Sequence, residues 1–483
     1  MISRYLFWVD DLLIILFFAL AAISGLWASF HALLNKRDPR SALVWVTVSL
    51  SIPILGPFSY WILGINRITR RAMRWQQRGR RLSGTELKHT QSATSVFFSP
   101  PLEYLQELAQ LGDRVVRNRL RSGTLITPLE NGESAYPAMI QAIDNATDTV
   151  NLATYIFDGD GAGAPIVSAL ASAAARGVSV RVIIDAMGEK YSTVRAKKVL
   201  EGTGVDVRLY LPLSSGPFIN LRNHRKLLLV DGRVAFTGGM NIRTSHCIEL
   251  APPEKAAMDL HFRVSGPVVA DLQKIFLEDW HFVSGELLDI PSFFPPLEEC
   301  GTAVARAIGD GPDREFRKLE WIIMGAISVA RHKIKIMTPY FIPDRPMISA
   351  LSTAALRGVD VTLVLPSHNN LPFVAWASRA SYWELIRNGV KIAEQSAPFA
   401  HTKIMLVDDV FSLIGSANID TRSLHLNFEL NLSVFDADFS SALNRYFEKS
   451  LSRSRLITLH ELDEYPTYIK LRNNAARLFS PYL

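Results

Sequence analysis

The chain has 483 residues, 52 Lys and Arg against 46 Asp and Glu, and an apolar fraction of 48 %. That length can bury more than one core, and the composition excludes a disordered chain, a collagen-like repeat and a disulfide scaffold. The formal charge of +6 is unevenly placed: residues 1–81 hold eleven Lys and Arg against three Asp, and the remainder is slightly acidic.

From the N-terminus, Leu12 to Leu34 is apolar apart from Ser24, Ser29 and His31. Asn35-Lys36-Arg37-Asp38-Pro39-Arg40 follows, and Ser41 to Ile65 is a second apolar run. Each run exceeds the ~20 residues that cross a hydrocarbon core as a helix. Pro53 and Pro57 kink the second run or make it re-entrant. The expectation is a two-helix transmembrane hairpin over residues 1–66, with Trp45, Tyr60 and Trp61 as interfacial anchors. Arg67, Arg70, Arg71, Arg74, Arg78, Arg80 and Arg81 then mark the cytoplasmic side and attract anionic headgroups. That reading puts both termini and a catalytic body in the cytoplasm, on a multi-pass anchor.

Residues 67–118 read as a basic linker with a lead-in helix. Beyond them the chain repeats itself. Ala-Ala-Arg-Gly-Val-Ser-Val-Arg-Val-Ile-Ile-Asp at 174–185 resembles Ala-Leu-Arg-Gly-Val-Asp-Val-Thr-Leu-Val-Leu-Pro at 355–366. Thr154-Tyr155-Ile156-Phe157 likewise echoes Thr338-Pro339-Tyr340-Phe341. A repeat this long is a duplicated domain, over 119–300 and 301–483. In the first copy the pattern predicts a strand at Thr149–Ile156, a helix at Ala164–Arg176 stopped by Gly177, and a buried strand at Val178–Ile184. The second copy repeats this at Ile334–Met337, Pro346–Arg357 and Val359–Leu365. Such units give an α/β fold with helices on both faces of a sheet. The two α-β-α domains are expected to pack face to face around one shared site.

Each copy carries a His and a Lys two apart, then an Asp, then Gly and Asn. These are His224, Lys226, Asp231, Gly239 and Asn241 in the first, and His401, Lys403, Asp408, Ser416 and Asn418 in the second, with Gly238 and Gly415 ahead of Gly239 and Ser416. His to Asp is seven residues and His to Asn seventeen in both. His and Lys at i, i+2 of a strand face one side, so an imidazole and an ammonium enter one pocket together. Gly lets backbone approach a phosphate, and Asn adds a neutral donor. Two copies suit a phosphodiester. Lysines and asparagines bind the non-bridging oxygens, one His attacks phosphorus, and the other protonates the leaving alkoxide. No set of His, Cys or carboxylates has metal-ligand spacing. The lysines therefore take the charge-neutralising role, and no metal or cofactor is expected. Two cysteines, Cys247 and Cys300, make neither a disulfide framework nor a zinc site and read as incidental thiols. His246, His261 and His368 read as surface or structural, with lining the pocket as the alternative.

The two motifs resemble those of the phospholipase D superfamily over residues 119 to 483. Narrower features resemble its cardiolipin synthase branch: Asn223-His224-Arg225-Lys226, Thr338-Pro339-Tyr340-Phe341-Ile342-Pro343-Asp344, and Gly415-Ser416-Ala417-Asn418-Ile419-Asp420-Thr421-Arg422-Ser423. The N-terminal Arg37-Asp38-Pro39-Arg40-Ser41-Ala42 and Pro53-Ile54-Leu55-Gly56-Pro57 resemble that branch too. The resemblance implies transfer of a phosphatidyl group between two phosphatidylglycerol molecules through a phosphohistidine, at a bacterial inner membrane. His224 is then the nucleophile and His401 the acid and base. It implies carboxylates that orient the second ring nitrogens, Glu429 in the second half and Asp259 in the first. Asp231 and Asp408 then brace the Gly-Asn turn. Two departures stand out. Met258 replaces a Trp before Asp259, and Asn369 and Asn370 lie where an Asp is usual.

A hydrolytic phospholipase D, or transfer to another alcohol, would share every catalytic residue; the membrane segment and the narrower motifs favour transfer between lipids. A nuclease needs a basic footprint, and a body of slightly negative charge lacks one, so no nucleic-acid partner is expected.

Overall fold

The computed structural model describes residues 2–36, 38–64, 98, 101–211, 221–288, 293–311 and 317–480. Arg37, the arginine cluster from Arg67 to Arg81 and most of the 67–118 segment lie outside the described residues. The chain forms two compact units, Met1–Arg71 and Ala72–Leu483.

In the first unit Ile2–Asn35 is one helix, and its Leu13–Asn35 part is long and apolar enough to cross a membrane. The second apolar run is not one helix. It runs from Pro39, capped by the Asp38 carboxylate, to Ser51, breaks at Ile52–Ile54, and resumes as two short turns, Leu55–Ser59 and Tyr60–Gly64. Pro53 removes a helix donor, and Ile54 takes a left-handed φ of 61°. Tyr60 is not an interfacial anchor. It is fully buried, hydrogen-bonded to His31 Nδ1 at 2.8 Å and packed on Trp45.

The second unit holds seventeen strands among its described residues. They are β1 (Arg121–Glu130), β2 (Thr149–Thr154), β3 (Ser179–Asp185), β4 (Asp206–Tyr210), β5 (Leu227–Val230), β6 (Val234–Gly238), β7 (Ala257–Met258), β8 (Leu260–Ser265) and β9 (Ala303–Asp310). Then come β10 (Lys333–Met337), β11 (Asp360–Pro366), β12 (Lys391–Gln395), β13 (Phe399–Ala400), β14 (Ile404–Val407), β15 (Phe411–Gly415), β16 (Glu429–Phe435) and β17 (Ser454–Leu456). Fifteen form one sheet in the order β17-β12-β11-β10-β14-β15-β16-β9-β1-β8-β6-β5-β2-β3-β4. The order mirrors itself about the β9–β1 pair, apart from β17 at one edge. The halves therefore join edge to edge through antiparallel β1 and β9, not face to face. The parallel trios β2-β3-β4 and β10-β11-β12 lie towards the two ends.

Helix Ala164–Ala175 connects β2 to β3, and Arg345–Leu356 connects β10 to β11. Gly177 at φ 92° and Gly358 at φ 93° end them, a conformation that a Cβ would strain. Each half has its own core. The first includes Leu152, Ile166, Val182 and Phe236; the second includes Ile336, Leu351, Leu363 and Phe411. Helix Leu105–Val115 belongs to the second of these, through Leu105, Leu108 and Ala109.

Candidate active site

His224 and His401 sit just ahead of β5 and β14, in extended stretches that leave the sheet. The sheet's ladder does not hold them there; the opposite half does. The His224 N–H donates to Phe428 O at 2.8 Å, and the Phe428 N–H to Arg222 O at 2.8 Å. The His401 N–H donates to Met258 O at 2.8 Å, and β13 pairs in parallel with β7. Phe428 and Met258 immediately precede the two carboxylates. This exchange of backbone therefore sets each carboxylate against the histidine of the other half. His224 Nδ1 meets Glu429 Oε2 at 3.1 Å, and His401 Nδ1 meets Asp259 Oδ2 at 2.6 Å. The expected pairing within each half is thus reversed.

Both carboxylates are fully buried. Ser416 Oγ donates to Glu429 Oε2 at 2.5 Å, and Asn427 Nδ2 donates to Oε1 at 3.2 Å. At the matching place in the first half, a Cβ on Gly239 would lie 2.5 Å from Asp259 Oδ2. Gly239 and Ser416 therefore seat the carboxylates, in place of the phosphate contact expected of them. Gly238 and Gly415 have φ of 148° and 153°, and a Cβ there would meet the carbonyls of Leu260 and Leu430 at 2.8 and 2.3 Å. Close approach of the next strand, not of a phosphate, requires these two glycines.

The lysines lie behind the histidines, 2 % and 4 % exposed for Lys226 and Lys403. Lys226 Nζ donates to His224 O at 2.6 Å, and Lys403 Nζ donates to His401 O. Lys403 Nζ also lies 3.8 Å from Asp259 Oδ2. In front of the histidines opens a cavity of about 1250 Å³, lined by His224, His401, Asn241, Asn418, Tyr155 and Tyr340 among others.

Asp231 and Asp408 are not in the cavity. They turn the β5–β6 and β14–β15 hairpins at φ of 50° and 51°. Asp231 accepts from the N–H groups of Thr147, Asp148 and Thr149, and Asp408 from those of Arg331, His332 and Lys333. They brace the chain entering β2 and β10, not the Gly-Asn turn. The Asn side chains are bonded within their own halves, one to backbone and one to a hydroxyl. Asn241 Oδ1 accepts from the Ile156 N–H at 3.3 Å, and Asn418 Nδ2 donates to Ser423 Oγ at 3.2 Å.

Of His246, His261 and His368, two take the alternative, pocket-lining place. His246 lines the cavity, 2 % exposed, with its ring 5.3 Å from that of His401. Nothing in the motif spacing flags it. His368 also borders the cavity, whereas His261 is buried behind it, beside Lys226. Tyr155 and Tyr340 were visible only as echoes of the repeat. Tyr155 packs edge-on against His224 at 5.3 Å. Arg225, between His224 and Lys226, turns away and ties Asp279 to the backbone of Glu429 and Asp310.

Burial, then the neighbouring ammoniums, holds His401 well below the ordinary histidine range. Burial also lowers His224, but Glu429 opposes it. Burial alone would raise Glu429; His224, Lys226 and Ser416 together hold it below the carboxylate range. Asp259 is raised by burial, with Lys403 opposing. Burial pushes Lys226 down to about 7. Donor atoms of His246, Asp259 and His401 lie within 4.8 Å of one another, the geometry of a possible metal site. The Lys403 ammonium already stands 3.0 Å from His401 Nδ1 there, and its charge repels a cation. The donor set therefore fits a lysine-neutralised anion site better than a metal centre.

Comparison with known proteins identifies the family. The family described as "Cardiolipin synthase, PLD-like domain" matches residues 139–280 and 323–451, one match in each half. The "Phospholipase_D-nuclease N-terminal" family matches residues 25–64. The cardiolipin synthase of Geobacillus sp. (strain WCH70) is 32% identical over 473 residues, covering 96% of this chain and 93% of that protein. The major cardiolipin synthase ClsA of Bacillus subtilis (strain 168) is 30% identical over 490 residues, covering 98% of this chain and 100% of its own. Among solved structures, the phosphatidylserine synthase of Haemophilus influenzae Rd KW20 shares the fold, with a TM-score of 0.61 at 14% identity over 78% of this chain and 100% of that one. With near-full-length relatives and a family match in each half, this chain is a phosphatidyltransferase belonging to the cardiolipin synthase branch of the phospholipase D superfamily.

Proposed function

We propose that the enzyme transfers a phosphatidyl group from one phosphatidylglycerol to the free hydroxyl of another, giving cardiolipin and glycerol. The observation that carries this is the crossed pair of carboxylate-braced imidazoles opening on one cavity, with an ammonium behind each. His224 Nε2 attacks phosphorus, the bond to the glycerol oxygen breaks, and His401 gives that oxygen its proton. His401 then takes the proton of the second lipid's hydroxyl, whose oxygen attacks phosphorus as the phosphorus–nitrogen bond breaks. Glu429 and Asp259 fix the ring orientations. Lys226 and Lys403 neutralise the phosphoryl oxygens, and Asn241 and Asn418 line their approach. The acid needs a proton that burial and two ammoniums disfavour in the empty site. The negative charge of the bound diester supplies the missing attraction.

Burial lowers both rings, so either suits a neutral nucleophile, and the covalent adduct trapped on one ring or the other distinguishes the two orders.

For the membrane, the proposal is a hairpin of two spans in a bacterial inner membrane, both ends cytoplasmic, with the two catalytic domains at 119–300 and 301–483 beyond the linker. The arginine cluster from Arg67 to Arg81 fits attraction to anionic lipid on the cytoplasmic face. Cysteine accessibility at Asn35, measured from each side of sealed vesicles, tests the loop's side. Incubating the purified enzyme with phosphatidylglycerol alone tests the reaction. Cardiolipin with free glycerol is expected. Phosphatidic acid as sole product would replace transfer by hydrolysis, and turnover only with added phosphatidylethanolamine would replace the donor–acceptor pair.

A further inference from the structure

The C-terminal helix Thr467–Arg477 buries one stripe and leaves an apolar one uncovered. Asn473 and Ala476 are buried towards the helix Pro372–Arg379, where Arg472 stacks over Trp376 at 4.6 Å. Tyr468, Leu471 and, just past the helix end, Leu478 recur at helical spacing on another face and are 66–79% exposed. Phe479 continues this strip to Phe373, edge-to-face at 5.5 Å. Phe373 itself is partly exposed, and its neighbours Leu371 and Val374 line the catalytic cavity. An apolar strip thus leads from the end of the chain to the mouth of the site.

Its charge selects the occupant. Residues 467–479 carry Lys470, Arg472 and Arg477 and no acidic residue. Just before the helix, Glu461 is paired with Arg455, Asp463 accepts a hydrogen bond from the uncharged Trp383 indole and Glu464 lies 3.5 Å from His460, so the basic excess belongs to residues 467–479 alone. A basic helix with an exposed apolar stripe lies in a lipid interface with that stripe among the upper acyl chains. The substrates of this reaction are anionic lipids whose phosphates must reach a cavity while their chains stay in the bilayer. We propose that this C-terminal helix, with Phe373 and Leu371, is the surface on which the catalytic unit docks onto the anionic lipid bilayer, its apolar strip guiding phosphatidylglycerol headgroups into the cavity. The docking rests on the phosphatidyl-transfer reading above.

The test uses the full chain with Tyr468→Ser, Leu471→Ser and Leu478→Ser together. It compares long-chain phosphatidylglycerol in liposomes with water-soluble dihexanoyl phosphatidylglycerol. A loss of about tenfold or more on the bilayer substrate, with the soluble substrate turned over as by the parent, is expected. Equal rates of variant and parent on bilayer lipid would overturn the docking. A second measurement covers a folding defect, which would lower both rates. Leu471→Cys in a Cys300→Ser background carries a fluorophore, and quenching by brominated acyl chains in phosphatidylglycerol liposomes is expected. A signal unaffected by brominated lipid, or one that follows protein concentration without lipid, would overturn the docking in favour of solvent or a second copy. If the parent makes no cardiolipin analogue from dihexanoyl phosphatidylglycerol, the transfer reading fails. The quenching still decides the docking.

Discussion

His224 and His401 occupy matching places in two halves whose motifs have identical spacing, yet their surroundings differ. Glu429, which faces His224, also accepts from Ser416 and Asn427 and is held ionised. Asp259, which faces His401, accepts from the Leu260 N–H, lies near Lys403 and is raised by burial. His401 also has a second buried imidazole, His246, beside its ring. Duplication supplies two equivalent imidazoles, and the second layer of side chains makes them unequal. A two-step transfer needs that inequality, because one ring must bond phosphorus while the other handles protons.

The strongest way to break the comparison is to remove each ring. His224→Ala and His401→Ala are each expected to lose activity by about 10⁴-fold. Acid-quenched enzyme exposed to radiolabelled phosphatidylglycerol should retain covalent lipid in the His401→Ala protein and none in the His224→Ala protein. The opposite pattern would exchange the roles of the two halves and leave the crossed geometry intact.

The carboxylates sharpen the same contrast with a smaller effect. Glu429→Gln and Asp259→Asn should each cost about 10²-fold in a protein that still folds. With a lipid bearing p-nitrophenol, a leaving group that needs no acid, the Asp259→Asn enzyme should keep its p-nitrophenol burst. The Glu429→Gln enzyme should lose it. Were each carboxylate to serve its own half, the burst would vanish in Asp259→Asn instead.

Much of this was legible in the chain. The equal His-to-Asp and His-to-Asn spacings reveal two copies of one site. The Arg-Gly-Val repeats mark the helix-to-strand joints at Gly177 and Gly358. The crossing was not legible, because spacing along one chain cannot say which of two equivalent histidines a carboxylate meets. That is decided by the Phe428 and Met258 backbone bonds between halves. The edge-to-edge joint depends likewise on β1 and β9, neither of which contains a motif residue. Asp231 and Asp408 read as structural, but which backbone they brace was not legible: it is the chain entering β2 and β10, far from them in sequence, and not the nearby Gly-Asn turn. In the N-terminal unit, hydropathy marks Tyr60 as an anchor and cannot see the His31 partner that buries it.

Those two aspartates distinguish fold from chemistry. Asp231→Asn and Asp408→Asn keep a residue tolerant of the left-handed φ but weaken charge-assisted bonds from three N–H groups. Each should cost about 1–2 kcal/mol of stability, read by denaturant unfolding of the detergent-solubilised enzyme, with activity per folded molecule unchanged. A loss of activity at full stability in either would return that aspartate to the chemistry.

The smallest effect compares the two lysines. Burial, the leading cause, lowers both ammoniums; the Asp259 carboxylate 3.8 Å away opposes it at Lys403, while Lys226, with Glu429 opposing, still comes down to about 7. In the empty site the Lys226 charge is therefore present below about pH 7 and lost above it, where both histidines, lowered by burial, are neutral. Sulfate keeps its charge between about pH 6 and 9, so its competition with phosphatidylglycerol isolates the protein's titration. Inhibition should weaken by up to about tenfold per pH unit above 7, because sulfate binding must then draw a proton onto Lys226. Lys226→Arg, charged throughout, should flatten this dependence, and Lys403→Arg should leave it in place. If Lys403→Arg flattened it instead, the second half would hold the weaker ammonium. The asymmetry drawn from Asp259 would then run the other way.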